Sequence, residues 1–165
     1  MTGTPSSLCA QCAGSGRTCC QRTRIFLTAA DAARIASATG KPPESFCDHE
    51  IPDETPDACL ALLDPVWSGI LISGDRRRIV AHRPNGDCCF LDADGCVLDS
   101  ETRPLLCRLY PFDYNNKTIK GVYAHLCPEA ISRNIPLLLA LLGMNRDQAE
   151  AWRAALYREI ASEGV

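Results

Sequence analysis

Hydrophobic and polar positions follow two rhythms along this chain, and the changes of rhythm mark its elements. From Ala29 to Thr39 the chain is Ala-rich, with Ala32 and Ile35 on one helical face, which predicts a helix. Thr28 followed by Asp31 makes a short capping box at its start, Gly40 is placed to end it, and Pro42-Pro43 forbids continuation. Residues 44–64 hold seven carboxylates and no Lys or Arg, with Pro52 and Pro56 among them, and read as a solvated loop or as a cover over a site. Residues 70–73 and 77–83 are short β-prone runs joined by Gly74-Asp75, a hairpin signal, and residues 112–114 and 118–124 repeat it across Asn115-Asn116-Lys117.

The period returns to helical in the C-terminal segment. A helix is predicted over residues 130–142, a break at Gly143, and a second helix from 146 or 147 to 162. Ala149, Trp152, Leu156 and Ile160 recur there at helical spacing and predict a core face, Trp152 included. Between the hairpins, Asp92-Ala93-Asp94-Gly95 reads as a turn between two short strands, which would bring Cys88 or Cys89 near Cys96. Thr102 is predicted to cap a short helix with Pro104 in its first turn; that helix carries Cys107 and must end near Tyr110, because Pro111 follows. The elements add up to an α+β fold: one small domain over residues 1–165, with short β-hairpins and several helices. Its core spans residues 9–128 and its helical C-terminal segment residues 129–162.

Composition narrows the function. The chain has 165 residues and a net charge of −3, from 17 basic and 20 acidic side chains. Neither half is basic enough for nucleic acid or an anionic membrane to be the expected partner, and the Arg76-Arg77-Arg78 run reads as solvated. The longest apolar stretch, residues 135–144, is interrupted by Pro136 and Gly143, so no membrane span is expected. The first residues lack a basic start and an apolar run, which predicts no secretory signal and a cytoplasmic protein. The unusual feature is 11 cysteines. In a reducing compartment, cysteines at this density read as thiolate ligands before disulfides.

They fall in groups. Cys9, Cys12, Cys19 and Cys20 open the chain, Cys88, Cys89, Cys96 and Cys107 lie in the middle, and Cys127 follows twenty residues later; Cys47 and Cys59 stand apart. Cys9-x2-Cys12 lets two thiolates reach one tetrahedral ion from a tight turn whose amides can hydrogen-bond the sulfurs. Knuckle, hairpin and helix could each donate thiolates to a common region. Arg103 and Arg108 are placed to offset the charge of buried thiolates, or else to pair with Asp99 or Glu101. All-sulfur ligation suits zinc and iron–sulfur clusters alike. Among the three histidines, His125 stands two residues before Cys127 and is the one best placed as a ligand or proton-transfer group. Tyr110 and Tyr114 read as core.

With these residues in place, the chain resembles the YkgJ-type cysteine-cluster proteins, also called the CxxCxxCC or zinc- or iron-chelating domain family. The resemblance rests on Cys9, Cys12, Cys19 and Cys20, then Cys88, Phe90, Leu91 and Cys96. It continues through Arg103, Pro104, Cys107, Arg108, Pro111 and Phe112 to Cys127-Pro128. R-P-x-x-C-R is its most specific element. It implies a metal site at Cys9, Cys12, Cys19, Cys20, Cys88, Cys96, Cys107 and Cys127, holding zinc or iron, including a 4Fe-4S cluster as one form. Six residues separate Cys12 from Cys19 where the family commonly has two, Cys89 fills a slot that is often proline, and Cys47 and Cys59 have no counterpart; these three are the expected spare thiols.

Two functions follow. One is a metal-binding protein whose ion or cluster is structural or passed to a protein partner. The other is a metal-dependent enzyme modifying a protein side chain by methyl transfer or redox chemistry, as the resemblance to flagellin lysine N-methylases implies. The chain carries no G-x-x-x-x-G-K-[ST], H-E-x-x-H or G-x-S-x-G signature to name a reaction.

Overall fold

Short helices and short antiparallel strand pairs alternate along the chain in the computed structural model, which describes residues 8, 11–12, 19–50, 71–72, 76–127 and 132–163. A single turn of helix, α1 (Cys19–Arg22), is followed by α2 (Ala29–Thr39), whose limits match those the sequence predicts. Thr28 accepts from the Asp31 backbone and Asp31 answers to the Thr28 backbone, completing the capping box, while Gly40 closes the helix at φ 68°. Ala32 and Ile35 are buried on one face.

A turn of 3-10 helix (Pro43–Ser45) leads into β1 (Cys47–Glu50), followed by β2 (Leu71–Ile72) and β3 (Arg76–Val80). They form one antiparallel sheet in the order β1-β3-β2. The β2–β3 pairing agrees with the predicted hairpin, and its turn lies outside the described residues. The acidic stretch is therefore not all loop: residues 47–50 are a strand, and residues 51–64 lie outside the described residues. Cross-strand pairing explains the difference. Buried Cys47 sits opposite buried Val80, and Glu50 sits opposite Arg77 and forms an ion pair with Arg24 at 3.3 Å. Opposite charges on neighbouring strands supply what apolar alternation does not.

Next come β4 (Leu91–Asp92) and β5 (Gly95–Cys96), an antiparallel pair around the predicted turn. The Cys107 helix, α3 (Leu105–Leu109), ends at Tyr110 as expected, but Thr102 does not cap it. Pro104 occupies the cap position, and the Leu105 N–H donates to Asp31 Oδ1 at 3.1 Å, a partner supplied by α2. Thr102 instead donates its own N–H to Asp99 Oδ1 at 2.7 Å. The second predicted hairpin is β6 (Phe112–Tyr114) with β7 (Ile119–Val122).

The first C-terminal helix, α4 (Ile135–Leu142), starts later than predicted, because Asn134 accepts from the Leu137 N–H at 3.1 Å and Pro136 sits in the first turn. Residues 130 and 131 lie outside the described residues. The last helix, α5 (Arg146–Glu163), buries Ala149, Leu156 and Ile160. Glu150 accepts the Ile119 N–H at 2.9 Å and Arg153 donates to the Asn116 carbonyl at 2.8 Å, so α5 clamps the β6–β7 hairpin.

Two hydrophobic cores result. Phe26, Leu105, Leu109, Phe112 and Ile119 gather against α5, while Leu27, Ala32, Ile35, Phe46, Val80, Phe90 and Leu98 gather between α2 and the sheet. Phe26 and Leu27 are consecutive in extended chain beside β3, so their side chains point to opposite faces and one enters each core. The cysteine groups meet on the seam between these cores.

Candidate metal centre

Backbone hydrogen bonds bring the cysteine groups together. Cys88 donates its N–H to the Cys20 carbonyl at 2.7 Å and pairs with His82 in an isolated bridge, while Cys89 donates to the Ala81 carbonyl at 3.0 Å. The turn before Cys88 needs Gly86, at φ 90° and packed toward the Gln21 carbonyl. The β4–β5 pair returns Cys96 opposite Leu91, and α3 carries Cys107 into the same seam.

Two cavities meet there. The larger, about 310 Å³, is bordered by Cys19, Cys20, Cys88, Cys96 and Cys107 and by the aromatic residues Phe26, Phe90, Phe112 and Tyr114. The smaller, about 180 Å³, is bordered by Cys12, Cys19, Cys20, Cys107 and Cys127, and also by Leu142, Met144 and Trp152. Arg103 and Tyr110 border both. The nine cysteines of the described residues form no disulfide. Among the described residues, no three Cys, His, Asp or Glu side chains already stand in the arrangement that holds an ion. The thiols line the cavities without closing on one point.

Their electrostatics show what crowding buried thiols costs. The hydrogen bond with Cys19 raises the Cys20 thiol far above its ordinary range, burial and the Cys88 charge add to this, and Arg103 opposes it. Burial pushes Cys107 well up, with the charges of Cys20, Cys88, Cys96 and Asp31 adding to it. Cys96 is raised by burial, against the Leu98 N–H and Arg103. Cys88 alone is lowered, to about 7: Cys89 hydrogen-bonds it, burial resists, and the Phe90 N–H at 3.5 Å, Arg83 and the Leu91 N–H favour the thiolate. A cation among these sulfurs would relieve both burial and mutual repulsion. The donor set fits zinc or iron: all sulfur, with backbone N–H groups directed at Cys88 and Cys96 and a guanidinium at hand.

The two arginines divide their work. Arg103 gives its Nε–H to the Leu98 carbonyl at 3.0 Å and keeps its charge beside Cys20 and Cys96. Arg108 is buried and bonded to the carbonyls of Arg103 and Glu101, with the Glu101 carboxylate at 3.4 Å, so it holds the 101–108 loop together at the edge of the smaller cavity.

Of the predicted ligands, Cys12, Cys19, Cys20, Cys88, Cys96, Cys107 and Cys127 border these cavities, and Cys9 lies outside the described residues. Cys47 is buried in the second core and Cys89 packs against that core, neither bordering these two cavities; Cys59 lies outside the described residues. His125 is not on a cavity wall: its ring is exposed and stacked on Tyr123, centroids 4.5 Å apart. Tyr110, read from sequence as core, has its hydroxyl 3.7 Å from Cys127 Sγ and accepts the Leu126 N–H at 3.0 Å. Its place inside R-P-x-x-C-R-x-Y-P-F was the available signal. Trp152 packs on the first core as expected and also borders the smaller cavity. No helix among the described residues is long and apolar enough to cross a membrane.

Compared with curated proteins and with solved structures, the chain matches none. The sequence profile of the CxxCxxCC family, described as a putative zinc- or iron-chelating domain, matches residues 8–128, and the chain belongs to that family.

Proposed function

We propose that this chain chelates zinc or iron through the thiolates of Cys20, Cys88, Cys96 and Cys107. The observation that carries this reading is their common placement: four thiols from α1, the 83–89 turn, β5 and α3 border one cavity, with Cys20 and Cys88 joined through the backbone at 2.7 Å. The metal, when bound, supplies positive charge that keeps the thiolates ionised. Arg103 balances the remaining negative charge, and the Phe90 N–H orients the Cys88 sulfur. A reducing cytoplasm suits such a site, because its thiols must stay unoxidised.

Zinc, iron(II) and a 4Fe-4S cluster share this donor chemistry, and elemental analysis with a visible spectrum on protein purified without oxygen separates them. Iron with acid-labile sulfide and broad visible absorption identifies a cluster. A colourless protein with zinc identifies a mononuclear ion. A chain that holds neither metal defeats the reading.

A second reading, a metal-dependent enzyme acting on a protein side chain, is supported by the size and aromatic lining of the larger cavity, which gives more room than one ion needs. It predicts a mass change on a lysine-bearing peptide given a methyl donor, lost in Cys20→Ser. A peptide left unmodified by metal-loaded protein removes this reading and leaves chelation standing.

A further inference from the structure

The seven described family cysteines do not ring a single space. Cys88 and Cys96 border only the larger cavity, Cys12 and Cys127 only the smaller, and Cys19, Cys20 and Cys107 stand in the wall between them. A tetrahedral ion takes four thiolates. With Cys20, Cys88, Cys96 and Cys107 assigned to the ion proposed above, Cys12, Cys19 and Cys127 are left, and these three share the smaller cavity. Resting on that reading, we propose that the smaller cavity is a second, separate site for a thiophilic divalent ion, zinc or iron(II), with Cys12, Cys19 and Cys127 as its ligands among the described residues.

The surroundings fit the charge and direction such a site requires. Arg103 and Arg108 both border the smaller cavity, and no carboxylate among the described residues does. Cys127 is held from two sides: its N–H donates to the Ala124 carbonyl at 3.0 Å, and its sulfur lies 3.7 Å from the Tyr110 hydroxyl. That hydroxyl accepts the Leu126 N–H at 3.0 Å, which leaves its own proton able to point at a Cys127 thiolate. Tyr110 is thus a positioning residue for Cys127. Cys9, three positions before Cys12 and outside the described residues, is the family cysteine available for the fourth coordination position. Leu142, Met144 and Trp152 also border this cavity, so the C-terminal segment gives it apolar lining.

Metal stoichiometry tests this directly. The full chain, purified anaerobically and freed of metal, is titrated with Co(II) or Zn(II), desalted, and analysed for bound equivalents, with circular dichroism to verify folding. Wild type should hold two equivalents. Cys12→Ser and Cys127→Ser should each hold one while Cys96→Ser loses the other. Tyr110→Phe should weaken the second equivalent more than the first. One equivalent in wild type overturns the second site and leaves chelation in place. Loss of all metal in folded Cys12→Ser and Cys127→Ser does the same, since one centre then uses both walls. So does a single iron–sulfur cluster as the native group. No metal in wild type overturns both readings.

Discussion

Asp31 Oδ1 accepts the backbone N–H of Leu105 at 3.1 Å, across 74 positions of sequence. The same carboxylate closes the capping box of α2 and pairs with Arg34, which also meets Glu159 of α5 at 2.6 Å. Asp31 and Arg34 together therefore join three helices, and one of them carries Cys107. Asp31→Ala removes the cap and leaves the Leu105 N–H without its acceptor, which should cost about 2–4 kcal/mol. Asp31→Asn keeps an acceptor and should cost less. Urea unfolding of both variants checks this; equal losses would place the effect in the ion pair with Arg34 and not in the cap.

Cys107→Ser should lower both metal content and melting temperature. Cys107 is shielded on α3 and borders both cavities, and binding free energy at such a site is also folding free energy. Elemental analysis and thermal unfolding on the same preparation read both effects. Full metal load with an unchanged melting temperature would remove Cys107 from the ligand set.

Arg103→Gln should weaken metal binding by roughly 10–100-fold, the usual cost of losing a partner that supports the ligands. Its charge opposes the rise of Cys20 and Cys96, whereas its Nε–H only ties down the Leu98 carbonyl. Chelator competition measures the affinity. Arg103→Lys, which retains the charge, should recover part of the loss, and a lysine variant no better than glutamine would contradict the electrostatic role.

Cys47 sets a pH dependence of its own. Burial in the second core raises its thiol from 9.0 to about 11, so the fold favours the protonated form. That stability is complete below pH 9 and is lost as pH rises through 11, by up to about 2–3 kcal/mol at 1.36 kcal/mol per unit. Cys47→Val fills the strand position without an ionisable group. The stability difference between wild type and Cys47→Val should therefore shift toward the variant between pH 9 and 11. Metal content should not change, and a loss of metal in this variant would return Cys47 to the ligand candidates.

Much of this protein could be read along the chain because the reasons are local. Thr28, Asp31 and Gly40 delimit α2 through bonds within a few residues, Pro111 ends α3, and the turn residues 92–95 and 115–117 place two hairpins. The clustering and spacing of the cysteines identify the family and the soft-metal donor set for the same reason, since both are properties of short segments. Tertiary structure decided what depends on distant partners. Thr102 carries every local mark of a cap, yet the α3 N–H goes to Asp31, because a buried carboxylate from α2 reaches it first. Residues 47–50 became a strand through charges on β3. Tyr110 became a partner of Cys127 because β7 returns the chain past it. The division of the thiols between two cavities arises from Phe26 and Leu27 sending the chain into two cores, with the cysteines on the seam they leave; only packing in three dimensions determines which sulfurs face the same space.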